Sequence, residues 1–213
     1  VMTRCRERDS TIPQRARPTC YGCCRPISHC VCRLVSPFAA HCNILILQHP
    51  HERKKYHSTA KLLTKAVTNC RLLRGIEFDP LQLVEQLAGQ EVYLLFPSNQ
   101  AADCRKVKLN LGSTVIVVDG TWEEARKILF RNTLLHQLPH LSFTDSVKSN
   151  YRIRKQPREN YLSTIESVAH LLRVNSDSSS EPELSARYDL LTEGFNRMVE
   201  QQLSYFPRSR PDL

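Results

Sequence analysis

The sequence lacks the run of about 18–20 apolar residues that a membrane-spanning helix needs. It also lacks a secretory signal, because residues 1–19 are polar, rich in arginine and without an apolar stretch. These absences predict an intracellular, non-secreted protein, cytoplasmic or nuclear, with no membrane partner. The chain has 213 residues, of which 41 % are hydrophobic, and this is enough for one domain with a full core.

Acidic residues are missing from two long stretches of the chain. The stretch from Arg53 to Arg74 carries seven basic side chains and no acidic one, and the stretch from Lys148 to Arg158 carries five. A third basic cluster lies in the first 33 residues, and the formal net charge is +9. Clustered positive charge is typical of proteins that bind a polyphosphate. The composition therefore favours nucleic-acid binding over a merely solvated basic surface.

Nine cysteines in a chain without a secretory signal indicate metal ligands and reduced thiols more than disulfides. Zinc prefers four tetrahedral ligands and favours thiolates, and a closed four-sulfur site has no open position for catalysis. Residues 20–33 are therefore predicted to form a structural zinc knuckle, preceded by a flexible basic arm at residues 1–19. A group of reduced thiols is the alternative, and Cys24 competes as a ligand. The predicted ligands are Cys20, Cys23, Cys30 and Cys32.

From Cys42 onward the pattern alternates between strands and helices. Strands are predicted at residues 43–48, 91–96 and 114–118, and helices are predicted after Ser58, Asp79, Trp122, Ser163 and Pro182. This alternation predicts an α/β fold with a mostly parallel sheet and helices on both faces. The first helix is expected to bury Leu62, Leu63, Ala66, Val67 and Cys70. The last helix is expected to bury Leu190, Leu191, Phe195, Met198, Val199, Leu203 and Phe206.

The tetrad Asp119-Gly120-Thr121-Trp122 follows the apolar, β-branched run 114–118, which is typical of a buried parallel strand. A helical pattern begins directly after it. The tetrad therefore lies at the carboxyl end of a strand, where α/β sheets bind ligands. The competing interpretation is a plain turn, in which Asp119 or Thr121 caps the helix and Trp122 fills the core.

Two further loops have a similar position. Pro97-Ser98 follows the strand at 91–96, and Ser163-Thr164 opens a helix, where Ser163 and Glu166 form a capping-box pattern. Three such loops meeting at one edge of a sheet would form a small-ligand pocket.

In this order, five motifs resemble those of the DTW-domain family, the tRNA-uridine aminocarboxypropyltransferases. They are the Cys20-x-x-Cys23 and Cys30-x-Cys32 pairs, residues 48–52, the tetrad, residues 151–157 and residues 162–166. The resemblance implies a DTW catalytic domain at residues 42–213 with a SPOUT-like fold and a trefoil knot. It also implies S-adenosylmethionine as co-substrate and tRNA as partner. The reaction would place a 3-amino-3-carboxypropyl group on N3 of a uridine, giving acp3U and 5′-methylthioadenosine.

The resemblance also implies site residues. The cofactor would be bound by Pro97, Ser98, Asp119, Gly120, Thr121, Trp122, Arg154, Ser163 and Thr164. The helix N-termini at Thr121 and Thr164 would offer backbone N–H groups to its carboxylate. RNA would be bound by His49, Glu52, Arg53, Lys54, Lys55, Arg152 and Lys155.

Asp119 and Trp122 are the expected catalytic residues. The reaction must orient the carbon beside a sulfonium and remove a weakly acidic N3 proton. Asp119 is expected to act as the base or to orient the uracil edge, with the cofactor's ammonium as an alternative partner. Trp122 is expected to stack on the flipped base or on the adenine.

Two other functions remain open from the sequence. A SPOUT-type RNA methyltransferase would release S-adenosylhomocysteine instead of 5′-methylthioadenosine. A non-catalytic zinc-containing RNA-binding module would need no cofactor pocket at the strand ends.

Overall fold

The computed structural model describes residues 18–23, 25–55, 58–143, 149–152, 162–176 and 182–204, with the Lys54 side chain left out. The strands are β1 (Asn43–Gln48), β2 (Cys70–Arg74), β3 (Glu91–Leu95), β4 (Ala102–Asp103), β5 (Ser113–Asp119) and β6 (His140–Ser142). The helices are α1 (Ala60–Ala66), α2 (Pro80–Leu87), α3 (Trp122–Arg131), α4 (Thr133–Gln137), α5 (Thr164–Asn175) and α6 (Pro182–Leu203). Short 3-10 turns occupy Ile27–His29, Pro50–Lys54 and Cys104–Lys106.

The strands form one six-stranded sheet in the order β2-β1-β5-β3-β6-β4, and every pairing among them is parallel. The neighbouring strands β1 and β5 are in register from Asn43 opposite Thr114 to Gln48 opposite Asp119. From β1 the chain continues to its neighbour β2 on one side, whereas from β5 it continues to β6 on the other. The carboxyl ends of β1 and β5 therefore flank a topological switch point, where open α/β sheets bind ligands.

The sheet has a separate apolar core on each face, which confirms the predicted helix–sheet–helix layering. Alternate residues of one strand point to opposite faces. Ile44 and Ile46 of β1 therefore pack with α1, α5 and α6. Leu45 and Leu47 pack with α2, α3 and α4 on the other face.

Several local signals act as the sequence predicts. Oδ1 of Asp79 accepts a hydrogen bond from the N–H of Leu81 at 2.9 Å, and Pro80 is the first residue of α2. Gly89, just beyond the end of α2, has a φ of 72°, a conformation that glycine adopts without strain.

Other predictions are wrong in detail. Helix α1 ends at Ala66 and follows Thr59, so Ser58 is not its cap and Cys70 begins β2 instead of extending the helical stripe. Strand β2 lies at the sheet edge and carries two arginines in five residues, so it has no apolar run to signal it. Leu190 is 56 % exposed because it lies on the outer side of α6.

The other residues that the last helix was predicted to bury differ in their exposure. Leu191, Phe195, Met198 and Val199 are buried as predicted, and Leu203 is partly buried. Phe206 lies outside the described residues, as does nearly all of the basic arm. No helix in the described part of the chain is both long enough and apolar enough to cross a membrane.

Candidate active site

Asp119 is the last residue of β5 and lies in a buried hydrogen-bond network. Its Oδ2 accepts a hydrogen bond from Nε2 of Gln48 at 2.8 Å, and its Oδ1 accepts one from Oγ1 of Thr164 at 2.5 Å. Gln48 in turn accepts a hydrogen bond from Nε of Arg74 at 2.9 Å. Asp119 therefore joins β1 and β5 to the start of α5.

Gln48 is a site residue that the sequence did not reveal as one. It is fully buried, and it lies beside Asp119 because the two residues are register partners. The only signal in the sequence is an amide at the end of an otherwise apolar strand.

Gly120 allows the backbone of the tetrad to pass close to α3. A Cβ atom at this position would lie 2.9 Å from Cβ of Glu124 and 3.5 Å from Cβ of His49. The first of these distances is shorter than carbon atoms tolerate, so any larger residue would push the tetrad away from the helix. A glycine is thus required by close approach, and not by an unusual backbone angle.

Thr121 caps α3, which confirms the capping interpretation for this residue. Its Oγ1 accepts a hydrogen bond from the N–H of Glu124 at 3.2 Å, and Oε2 of Glu124 accepts one from the N–H of Thr121 at 2.7 Å. The N–H of Thr121 is therefore donated within the chain. That Thr121 contacts the cofactor stays a prediction.

Trp122 is half-buried at the start of α3. Its ring centroid lies 5.6 Å from that of Phe96, the residue after β3, at an interplanar angle of 57°. Together with the bond between Asp119 and Thr164, this contact shows that the loops after β3 and β5 and the start of α5 meet, as the sequence predicts.

The two other predicted loops lie around this meeting point. Pro97 and Ser98 are exposed, and Oγ of Ser98 lies 3.0 Å from Nδ1 of His140. At the start of α5, the N–H of Ser163 donates a hydrogen bond to Oε2 of Glu166 at 2.8 Å. Glu166 also accepts a hydrogen bond from the N–H of Asn150, so its role is to cap the helix and hold a neighbouring loop.

His49 and Glu52 are buried, with exposed fractions of 2 % and 1 %. The backbone N–H of His49 donates a hydrogen bond to the carbonyl of Asp119 at 2.9 Å. Oε1 of Glu52 is 2.6 Å from Nζ of Lys55, so these two charges compensate each other. Both side chains are therefore buried near the carboxyl end of β1.

The predicted RNA contacts with free access to solvent are Arg53 and Arg152, which are exposed. The carbonyl of Arg53 accepts a hydrogen bond from Nζ of Lys61 at 2.9 Å, which connects the Pro50–Lys54 turn to α1. Arg154, Lys155 and the side chain of Lys54 lie outside the described residues.

Two ring nitrogens near the carboxyl edge of the sheet are buried and have no hydrogen-bond partner among the described residues. They are Nε2 of His49 and Nε2 of His140, whose strand pairs with the end of β3. Buried polar atoms in folded proteins are nearly always paired. Their position at this edge fits a crevice that accepts a polar ligand.

The thiols of Cys20, Cys23, Cys30 and Cys32 converge as the spacing predicts and form a cluster that can hold a metal. The Sγ–Sγ distances are 3.4 Å for Cys20–Cys30, 3.7 Å for Cys20–Cys32 and 3.9 Å for Cys23–Cys30. A tetrahedron with zinc–sulfur bonds of about 2.3 Å has edges of about 3.8 Å. The observed distances bracket that value. Cys24 lies outside the described residues.

The thiols of this cluster differ in their tendency to ionise. Burial opposes ionisation of Cys20, but hydrogen bonds from the backbone of Cys23, the thiol of Cys30 and the backbone of Gly22 outweigh it and lower its pKa to about 6. Burial raises the pKa of Cys30 to about 11 and raises that of Cys32 as well. A thiolate at Cys20 is available as a first ligand, and a bound cation would favour ionisation of Cys30 and Cys32.

The knuckle packs against α1 and α6. A Cβ atom on Gly22 would lie 2.9 Å from Sγ of Cys32 and also 2.9 Å from Nζ of Lys65. The Lys65 ammonium therefore lies beside the sulfur cluster, where it offsets negative charge. On the other side, Nη2 of the buried Arg25 contacts Sδ of Met198 in α6 at 3.0 Å.

The sequence profile of the DTW domain matches residues 17–203. The chain belongs to the DTW-domain family. This DTW chain is 33 % identical over 184 residues to a Drosophila melanogaster protein named tRNA-uridine aminocarboxypropyltransferase 2, covering 82 % of this chain and 72 % of that protein.

Two mammalian proteins of the same name are also similar to this DTW chain. Identity is 32 % over 174 residues with the Macaca fascicularis protein and 30 % over 168 residues with the Mus musculus protein, covering 76 % and 74 % of this chain. The matched segment spans 58 % and 56 % of the length of these two relatives. No solved structure matches the chain.

Proposed function

We propose that this DTW domain transfers the 3-amino-3-carboxypropyl group of S-adenosylmethionine to N3 of a uridine in tRNA, leaving 5′-methylthioadenosine. The observation that carries the proposal is the meeting of the tetrad, Thr164 and Phe96 at the switch point between β1 and β5. The names of the relatives supply the reaction class.

The cofactor is proposed to lie in the crevice at the carboxyl edge of the sheet. When bound, S-adenosylmethionine supplies an electrophilic carbon next to a sulfonium. Half-buried Trp122 offers a flat face to its adenine or to a flipped base. The unpartnered Nε2 atoms of His49 and His140 support a polar ligand at this edge. The other proposed cofactor contacts are Pro97, Ser98, Asp119, Gly120, Thr121, Ser163, Thr164 and, outside the described residues, Arg154.

Asp119 is proposed to hold the N3–H of uracil in line for transfer and to accept its proton. Gln48 and Thr164 each donate a hydrogen bond to one oxygen of Asp119. These two bonds keep the carboxylate from turning. This arrangement supports a fixed, orienting acceptor.

The tRNA is proposed to follow a basic path from the knuckle to the crevice. Nζ of Lys65 lies close to Gly22 of the knuckle, and Lys61, four residues earlier on the same face of α1, donates a hydrogen bond to the carbonyl of Arg53. The turn that contains Arg53 begins after His49, which is bonded to Asp119. Arg53, Lys54, Arg152 and Lys155 are the proposed phosphate contacts.

The buried pair His49 and Glu52 is proposed to contact the flipped nucleotide instead of the phosphates. Lys55 is proposed to position Glu52 through the ion pair between them.

The four-cysteine cluster is proposed to hold a structural zinc ion. Its sulfur geometry supports a closed tetrahedral site, in which no ligand position remains for water. Packing of the knuckle on α1 would make the ion a support for the RNA path.

We also propose a SPOUT-like fold with a trefoil knot. In the sheet, β5 lies between β1 and β3, and β6 lies between β3 and β4. Strands that come later in the chain are therefore inserted between earlier ones, and this order supports the proposed knot.

The test is to incubate the chain with S-adenosylmethionine and bulk tRNA, and then to identify both products by mass spectrometry. The expected products are acp3U in the tRNA and 5′-methylthioadenosine in solution. Release of S-adenosylhomocysteine would instead establish a methyltransferase. Binding of tRNA without any binding of S-adenosylmethionine would establish a non-catalytic RNA-binding module.

A further inference from the structure

A second group of metal-ligand side chains lies beside the tetrad and is named here the His–Glu cluster. It consists of His49 and His51, from the end of β1 and the turn after it, and Glu124 from the first turn of α3. Oε1 of Glu124 is 3.3 Å from Nδ1 of His49 and 3.2 Å from Nδ1 of His51. All three ligand atoms lie within 4.8 Å of one another.

Hydrogen bonding accounts for only part of this arrangement. The contact between His51 and Glu124 has hydrogen-bond geometry. In contrast, Nδ1 of His49 accepts a hydrogen bond from the backbone N–H of His51 at 3.4 Å, so in a neutral ring this nitrogen carries a lone pair. Two acceptors therefore face each other at 3.3 Å.

The two facing acceptor atoms repel each other, and a cation bound between them would attract both. Zinc binds imidazole nitrogen and carboxylate oxygen at about 2.0–2.1 Å, and tetrahedral geometry then places ligand atoms about 3.3–3.4 Å apart. The distances of 3.2 and 3.3 Å within the cluster are close to this value.

Glu124 is well prepared to act as a ligand. Its Oε2 is occupied by the N–H of Thr121, which leaves Oε1 facing the two histidines. The capping box therefore fixes the carboxylate at the place where it meets the imidazoles.

We propose that the His–Glu cluster is a second metal site, which binds a divalent ion of the zinc type through His49, His51 and Glu124. Two imidazoles and one carboxylate suit zinc, cobalt or nickel better than magnesium or calcium. Three protein ligands leave one position of a tetrahedron for water or a substrate oxygen. The ion would join the Pro50–Lys54 turn to α3, and so clamp two walls of the crevice together. The proposal does not depend on the transfer reaction.

The test uses cobalt(II) as a spectroscopic probe and zinc as the counted ion. Cobalt at four thiolates absorbs strongly in the near ultraviolet, whereas cobalt at two imidazoles and a carboxylate gives only weak visible bands. We expect two zinc ions per chain after dialysis, and cobalt bands of both kinds. Cys20→Ser should weaken the thiolate bands and leave the second kind unchanged.

His51→Ala is the decisive variant, because the His51 side chain is 77 % exposed and its removal leaves the core intact. Affinity for the second ion should fall by about 100-fold or more. His136→Ala, an exposed histidine of α4 outside both clusters, is the matched control and should keep both ions. One ion per chain in the unaltered protein, with thiolate bands alone, would overturn the proposal. So would a second ion that survives both His51→Ala and Glu124→Gln.

Discussion

Replacing Asp119 with asparagine separates the catalytic role of this residue from its structural one. An asparagine side chain can keep the contacts with Gln48 and Thr164, with Oδ1 accepting from Gln48 and Nδ2 donating to the hydroxyl of Thr164. Hydrogen bonds to a charged group contribute about 1.5–3 kcal/mol and neutral ones about 0.5–1.5 kcal/mol. The expected loss of stability is therefore about 2–3 kcal/mol for the two bonds together. A domain with a typical stability of about 5–15 kcal/mol would remain folded.

The substitution is expected to affect activity more severely than stability. Asparagine cannot accept the N3 proton. It also lacks the negative charge that holds the N3–H group of uracil. Removing such a group typically lowers the rate by about 100-fold or more. We expect acp3U formation to fall by at least that factor, while urea unfolding stays cooperative with a lower midpoint.

The assay pairs nucleoside mass spectrometry with urea unfolding on the same preparation. Asp79→Asn is the matched control, because it removes the same charge from an exposed N-cap, where asparagine serves equally well. This control should keep both activity and stability. The reasoning fails if Asp119→Asn forms product at a near-normal rate, and it also fails if the variant no longer unfolds cooperatively.

Three further predictions concern the tetrad, the knuckle and the RNA path. Gly120→Ala places a Cβ atom 2.9 Å from Cβ of Glu124, so unfolding by urea should show a loss of about 1–3 kcal/mol, and unchanged stability would contradict the close approach. The chain should hold one tightly bound zinc ion at the four cysteines, and Cys23→Ser should remove this ion and lower the melting temperature. Elemental analysis that finds full metal content in this variant would refute the ligand set. Replacing Arg152 and Lys155 by alanine should flatten the salt dependence of tRNA binding by about one unit per lost phosphate contact. Affinity for S-adenosylmethionine should change much less. An unaltered salt slope would mean that the tRNA path involves only the knuckle and α1.

The sequence alone determined the features that depend on neighbours along the chain. The β-branched run before Asp119 is a buried strand, Asp79-Pro80 opens a helix, and Glu166 caps another. The four-cysteine cluster also follows from spacing, since a turn at Tyr21-Gly22 brings the first pair of thiols together. Each of these signals acts over a few residues, so the rules of propensity, capping and turn geometry are sufficient to predict it.

Only the tertiary structure decided which distant groups meet. The pairing of β1 with β5 places Gln48 against Asp119, although they are 71 positions apart, and the N-terminus of α5 brings Thr164 to the same carboxylate. The same packing buries His49 and sets it 3.3 Å from Glu124. A strand sequence carries no information about its neighbour in a parallel sheet, because the connection passes over a helix. For that reason the loops of the site could be predicted one by one, while their contacts required the fold.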